Sequence, residues 1–122
     1  MAVLTFAAVD IGSYNVIMEV FEISKKQGMK SLDYVEQRID LGRDTYTKGR
    51  ISNARVQELC TVLNDFKRIM KEYHVADYRV CATSALREAE NVEIILGKIQ
   101  LITGMRVEVL SNSEQRFLGY KS

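Results

Sequence analysis

The sequence predicts an α/β fold built on one mixed five-stranded sheet, with element order βββαβαβα and helices on its faces. Three observations carry that expectation. The chain opens with two contiguous apolar runs joined by a very short polar turn. A long segment of 3.6-residue periodicity follows. Short strand-like runs then alternate with helical patterns to the end of the 122 residues.

The first run, Val3 to Val9, is apolar but for Thr5, as expected of a strand buried on both faces. The second runs from Val16 to Ile23, and strands near 3–10 and 15–23 form an antiparallel pair. Lys25-Lys26-Gln27-Gly28 is a polar turn with a glycine, suited to a second hairpin. Residues 29–39 alternate loosely, with Met29, Leu32, Tyr34 and Ile39 among charges, and read as a half-exposed third strand. Asp40 to Arg50 is polar, holds Gly42 and Gly49, and reads as a solvated, cationic loop.

Ser52 is a good N-cap for the clearest helix, in which Val56, Leu59, Cys60, Leu63, Phe66, Ile69, Met70 and Tyr73 share one face. His74 falls just past its end, a place for a solvent-facing residue. Tyr78-Arg79-Val80-Cys81-Ala82 returns to strand and ends in Thr83-Ser84. Asn91 is placed to cap a helix carrying Val92, Ile95, Leu96, Ile99 and Ile102, with Gly104 as its stop. Arg106 to Leu110 is a short strand, and Ser111-Asn112-Ser113-Glu114 has capping-box spacing for a last helix running to Ser122. Three antiparallel strands followed by crossovers make the ribonuclease-H-like layout.

Composition narrows the function classes. The size is that of one domain, and 47% apolar with 27% charged residues is an ordinary globular balance. Lys plus Arg number 17 against 16 Asp plus Glu, so no bulk positive field advertises nucleic acid or an anionic membrane. No apolar run reaches the length of a membrane span, and the N-terminus lacks a signal peptide's charged start, which makes the cytoplasm the expected compartment. Cys60 and Cys81 lie in apolar patterns and read as reduced core thiols; one His and two scattered Cys leave little for zinc.

Chemistry concentrates where the first strand ends, at Asp10-Ile11-Gly12-Ser13-Tyr14-Asn15. Gly12 permits close approach of a ligand to the backbone, and Ser13, Tyr14 and Asn15 offer N–H groups and side-chain donors around the bend, a nest for phosphate. Asp10 would repel phosphate unless a divalent cation stood between them. The bland alternative is a hairpin turn with an acid at its mouth. In a sheet of this layout the ends of strands one, four and five (Asp10, Ser84, Leu110) share one rim, and Arg87 and Glu114 follow the last two ends.

Three motifs in order resemble the exopolyphosphatase / guanosine pentaphosphate phosphatase family. Asp10-Ile11-Gly12-Ser13 is similar to its first phosphate loop. Ala82-Thr83-Ser84-Ala85-Leu86-Arg87-Glu88-Ala89-Glu90-Asn91 is similar to its second signature. Val107-Glu108-Val109-Leu110-Ser111-Asn112-Ser113-Glu114 is similar to the strand that leads into the catalytic glutamate. The Leu41-Gly42 pair and Gly49-Arg50-Ile51-Ser52 fit as well, and the resemblance covers essentially the whole chain. That family belongs to the wider group of sugar kinases, actin and heat-shock ATPases, in which two such domains face each other across a cleft. The resemblance implies that residues 1–122 are the N-terminal domain of a longer two-domain phosphatase, with a second phosphate loop in a domain outside this chain.

It also implies roles. Glu114 matches the general base toward the attacking water. Arg87 matches an active-site arginine, Gly12, Ser13, Tyr14 and Asn15 the loop on the terminal phosphate, and Asp10 the acid that holds Mg2+ or another divalent cation. Thr83 and Ser84 would add hydroxyl donors or cap the helix bearing Arg87. The implied substrates are inorganic polyphosphate or guanosine pentaphosphate (pppGpp), the fragment alone being inactive or nearly so, and relatives of this kind often form homodimers. The chain departs from the pattern at Tyr14 and Asn15, where Asn then Ser are usual. It departs again at Ile17, where a basic residue is common, and at Asn112, Gln115, Arg116 and Phe117. Two other readings stand beside this one: a noncatalytic polyphosphate- or nucleotide-binding relative, and an acetate- or sugar-kinase-like phosphotransferase. A ribonuclease-H-type nuclease is disfavoured, because the fourth strand ends in Thr83-Ser84 with no acid at its tip.

Overall fold

The first two apolar runs form β1 (Leu4–Ile11) and β2 (Asn15–Ser24), and a glycine turn leads into β3 (Gly28–Arg38). The structure is a computed structural model and describes residues 3–112. Beyond β3 come α1 (Leu41–Lys48), α2 (Asn53–Glu72), β4 (Asp77–Ala82), α3 (Ser84–Glu88), α4 (Val92–Thr103) and β5 (Val107–Val109). The sheet order is β3-β2-β1-β4-β5. β1 pairs antiparallel with β2 and parallel with β4, and β4 pairs parallel with β5. This is the mixed five-stranded sheet that the sequence predicts.

Strand periodicity sorts the side chains onto two faces. Ala7, Val9 and Ile11 of β1, Val16, Met18 and Val20 of β2, and Val80 and Ala82 of β4 are buried and join one core. The apolar stripe of α2 (Val56, Leu59, Cys60, Leu63, Phe66 and Met70) and Ile95 and Ile99 of α4 complete it. Fully burying one of its Val, Leu, Ile, Phe or Met side chains is worth about 1.5–3 kcal/mol, so this face dominates the stability. The opposite face carries Asp10, Ile17 and Cys81 side by side in the register. Cys60 is buried, Cys81 half-buried, and both are free thiols. Among the described residues no helix is long and apolar enough to cross a membrane.

Two helix ends follow the expected chemistry. The Ser52 side chain accepts from Arg55 N at the start of α2, and Gly104 closes α4 in the left-handed region at φ 76°. His74, also left-handed at φ 55°, turns the chain after α2 and is exposed.

The segment 40–50 corrects the sequence reading. It is not a solvated loop: residues 41–48 are helical, with Gly49 as a left-handed C-cap at φ 77°. Its polar residues hold it in place. Thr45 Oγ1 donates to the Ala85 carbonyl at 2.8 Å, and Asp44 accepts from Ser52 N at 2.9 Å. Burial works against the Asp44 charge, but the Ser52 hydrogen bonds and the Arg55 and Lys48 charges outweigh it and hold the carboxyl below its usual value. Asn91 is a second correction. It stands at the N-cap position of α4 without capping it; its amide accepts from Ile51 N at 3.1 Å and donates to Ile51 O at 2.9 Å, tying α4 to the entry of α2.

Candidate active site at the carboxyl edge of the sheet

The parallel strands end level with one another. Ile11 pairs with Ala82, and Ala82 with Val109. One residue further, Thr83 N donates to Ile11 O at 3.2 Å and Leu110 N to Ala82 O at 2.9 Å. The turns that carry Gly12-Ser13, Thr83-Ser84 and Leu110-Ser111 therefore leave the sheet from one rim, as the layout requires.

The first turn is narrow. Gly12 N donates to Asn15 O at 2.9 Å, and a Cβ at Gly12 would lie 3.1 Å from that same oxygen. The other carbonyls of the bend are engaged by the segment after β3: Ser13 O accepts from Gly42 N at 2.7 Å, and Tyr14 O from Ile39 N at 2.9 Å. Tyr14 and Asn15 thus shape the turn through their backbones, and the Tyr14 ring is exposed.

Ser13 and Ser84, 71 residues apart, meet with their hydroxyl oxygens 3.1 Å apart. Tyr46 of α1 joins them, 3.1 Å from Ser13 Oγ and 2.5 Å from Ser84 Oγ. Tyr46 was not among the residues singled out from the sequence. The signal that could have found it is the Leu41-Gly42 pair, because a Cβ at Gly42 would stand 2.9 Å from Ser13 Cβ and 3.0 Å from the Tyr46 ring.

Thr83 occupies the N-cap position of α3 without a side-chain cap, and its carbonyl accepts from Arg87 N at 3.0 Å. Arg87 is mostly buried at the rim. Its Nη1 donates to Leu110 O at 2.8 Å and its Nε pairs with Glu88 at 3.3 Å. A guanidinium is held there between the ends of β4 and β5. Asp10 lies one residue before the end of β1, flanked by Ile17 and Cys81. Its side chain reaches solvent, yet lost hydration against the sheet pushes its carboxyl above the usual value. The described residues contain no group of three or more His, Cys, Asp or Glu able to hold a metal ion. Glu114, with Gln115, lies outside the described residues.

Residues 19–121 match the model of the Ppx/GppA phosphatase family. The chain belongs to that family. It is 23% identical over 117 residues to exopolyphosphatase 1 of Mycobacterium tuberculosis, covering 96% of this chain and 34% of that protein. It is 24% identical to the guanosine-5'-triphosphate,3'-diphosphate pyrophosphatase of Photobacterium profundum, covering 95% of this chain and 23% of the relative. Among solved structures, the Aquifex aeolicus Ppx/GppA family member superposes with a TM-score of 0.86 at 29% identity, over 91% of this chain and 36% of its own. An exopolyphosphatase-like protein superposes at 0.87 with 26% identity over 97% of this chain and 36% of its own. The Ppx/GppA chain therefore spans about a third or less of the curated relatives it matches. Thermus thermophilus RuvC shares the fold alone, with a TM-score of 0.50 at 9% identity.

Proposed function

We propose that this domain is the N-terminal half of the active site of an exopolyphosphatase-type phosphohydrolase, which releases terminal phosphate from inorganic polyphosphate or from guanosine pentaphosphate. The observation that carries the reading is the meeting of Ser13 and Ser84 at 3.1 Å, which unites two family motifs at the carboxyl edge of the sheet. The phosphoryl group binds at the Gly12-Ser13 turn and beside Ser84, where the Ser13 and Ser84 hydroxyls meet its oxygens. Arg87 supplies fixed positive charge, and a guanidinium anchored by Leu110 O keeps its donor fork in one orientation.

Water is a poor nucleophile, so the reaction needs a base. Glu114 takes the proton of the attacking water as its oxygen bonds to phosphorus, and the phosphoanhydride oxygen leaves. No phosphoenzyme is required. Mg2+ suits the donor set, because it keeps several waters and binds through one or two carboxylates plus substrate phosphates. Asp10 is the carboxylate that would hold it, and a carboxyl with reduced hydration gains by an adjacent cation. When bound, the ion neutralises charge on the phosphates. The remaining part of the relatives' length accommodates a second domain with its own phosphate loop, facing this rim across a cleft.

The test is phosphate release from tripolyphosphate, long-chain polyphosphate and guanosine pentaphosphate by the intact protein. Turnover dependent on Glu114 supports the reading. A noncatalytic binding relative is the second reading, favoured by apolar Ile17 beside Asp10 where a basic residue is common. Tight polyphosphate binding without turnover would identify it.

A further inference from the structure

Three hydroxyls from three separate segments converge at the rim: Ser13 after β1, Ser84 opening α3, and Tyr46 from α1. The two serines lie in the motif turns. Tyr46 does not, and it is brought in by a helix whose position is dictated elsewhere. Thr45, its neighbour, is buried and bonded to the Ala85 carbonyl, and Gly49 closes the helix and accepts from Glu90 N at 2.8 Å. The ring crosses Gly42, where a Cβ would stand only 3.0 Å from it. The phenol is therefore delivered to the serines by fixed backbone, while 52% of the residue stays exposed to an incoming ligand.

We infer that Tyr46 is a phosphoryl-binding residue of this site, the third donor of a neutral hydroxyl cradle completed by Ser13 and Ser84. The inference rests on the phosphohydrolase reading above and adds to it a residue of α1.

Each hydroxyl has one proton and two lone pairs. With all three oxygens within hydrogen-bond distance of one another, a closed ring of three O–H···O bonds cannot have all of them linear, and bent hydrogen bonds are weaker than straight ones. Turning those protons toward an anionic oxygen replaces bent neutral bonds by straighter, charge-assisted ones. The exchange therefore favours a phosphoryl oxygen over retention of the ring. Ile17 stands beside Asp10 where a cation is common, so an added dipolar donor supplies part of the attraction a basic side chain would bring. A terminal phosphoryl group carries three non-bridging oxygens against two on an internal one, and a third donor adds most to recognition of the chain end.

Tyr46→Phe keeps the ring over Gly42 and deletes only the hydroxyl. In the intact protein, KM for tripolyphosphate should rise about tenfold, with kcat changed less than about threefold and the melting temperature unmoved. Titration calorimetry with tripolyphosphate should show the same loss of affinity. Ser13→Ala is the companion variant. Wild-type KM and affinity in Tyr46→Phe, with weakened binding in Ser13→Ala, would overturn the Tyr46 assignment and leave the phosphohydrolase reading intact. A lowered melting temperature with unchanged KM would show a structural role and overturn it too. If the wild-type protein neither binds nor hydrolyses tripolyphosphate, the functional reading falls and the inference with it.

Discussion

Gly42→Ala probes the coupling between α1 and the first phosphate turn. The added Cβ would meet Ser13 Cβ at 2.9 Å, half an ångström short of the 3.4 Å at which ordinary contact begins. It would also lie 3.0 Å from the Tyr46 ring and 3.3 Å from Ser13 O. Two of those neighbours belong to backbone or to an atom next to it, so a side-chain rotation cannot relieve the clash. Overpacking of this kind costs about 1–3 kcal/mol. Replacing glycine by alanine inside a helix returns about 0.5–1 kcal/mol. Stability should therefore fall by no more than about 2.5 kcal/mol, and the fold should survive.

The site should not. Either the Ser13 turn or α1 must move, and both carry hydroxyls of the Ser13–Tyr46–Ser84 cluster. A displacement well under 1 Å is enough to misalign a bound phosphoryl group, and kcat/KM for tripolyphosphate should fall by on the order of tenfold or more. The assay is steady-state phosphate release by the intact protein, paired with a thermal melt. An unchanged kcat/KM in a variant that melts like wild type would refute the claim that α1 positions the phosphate turn.

Other perturbations separate structure from chemistry. Asn91→Ala leaves both the N–H and the carbonyl of buried Ile51 without their partner, and urea denaturation should show a loss of about 2–4 kcal/mol while saturated turnover persists. Asp44 has a folded-state pKa below its ordinary value of 3.8, so its stabilising effect is present above that value and lost as pH falls below it. Asp44→Asn should flatten that acid limb in melting temperature against pH. Asp10 is shifted the other way, so at the Mg2+ site proposed for it protons should compete with the ion at higher pH than for an ordinary carboxylate. Calorimetry should show Mg2+ affinity falling as pH drops through that raised value, and Asp10→Asn should remove the dependence.

The strands and the long helix were legible because burial imposes their periods. The stripe from Val56 to Met70 carries that signal with no help from elsewhere, whereas the run from Val3 to Val9 marks a strand but not its burial: Val3 and Leu4 are exposed, and only the Ala7, Val9 and Ile11 face of β1 is buried. The α1 helix was illegible for the opposite reason. Residues 41–48 have two buried polar side chains, Asp44 and Thr45, and their stability comes from Ser52 and Ala85, which no local pattern reveals. Asn91 shows the same limit: its residue type suits a cap, but the Ile51 backbone 40 residues away is the better partner. At the site, Ser13 and Ser84 were readable from motifs, and the rim from the order of strands. Tyr46 was hidden with its helix, since its meeting with Ser13 depends on a contact across 33 residues.

Phosphoanhydride hydrolysis with Glu114 as base stands or falls on one comparison. Phosphate release from tripolyphosphate with Mg2+ should be measured for the intact protein and its Glu114→Gln variant at equal substrate saturation. The wild type should turn over, and the variant should show a kcat lower by about 100-fold or more with binding retained. Equal turnover in the two proteins, or tight binding with none in either, would contradict it.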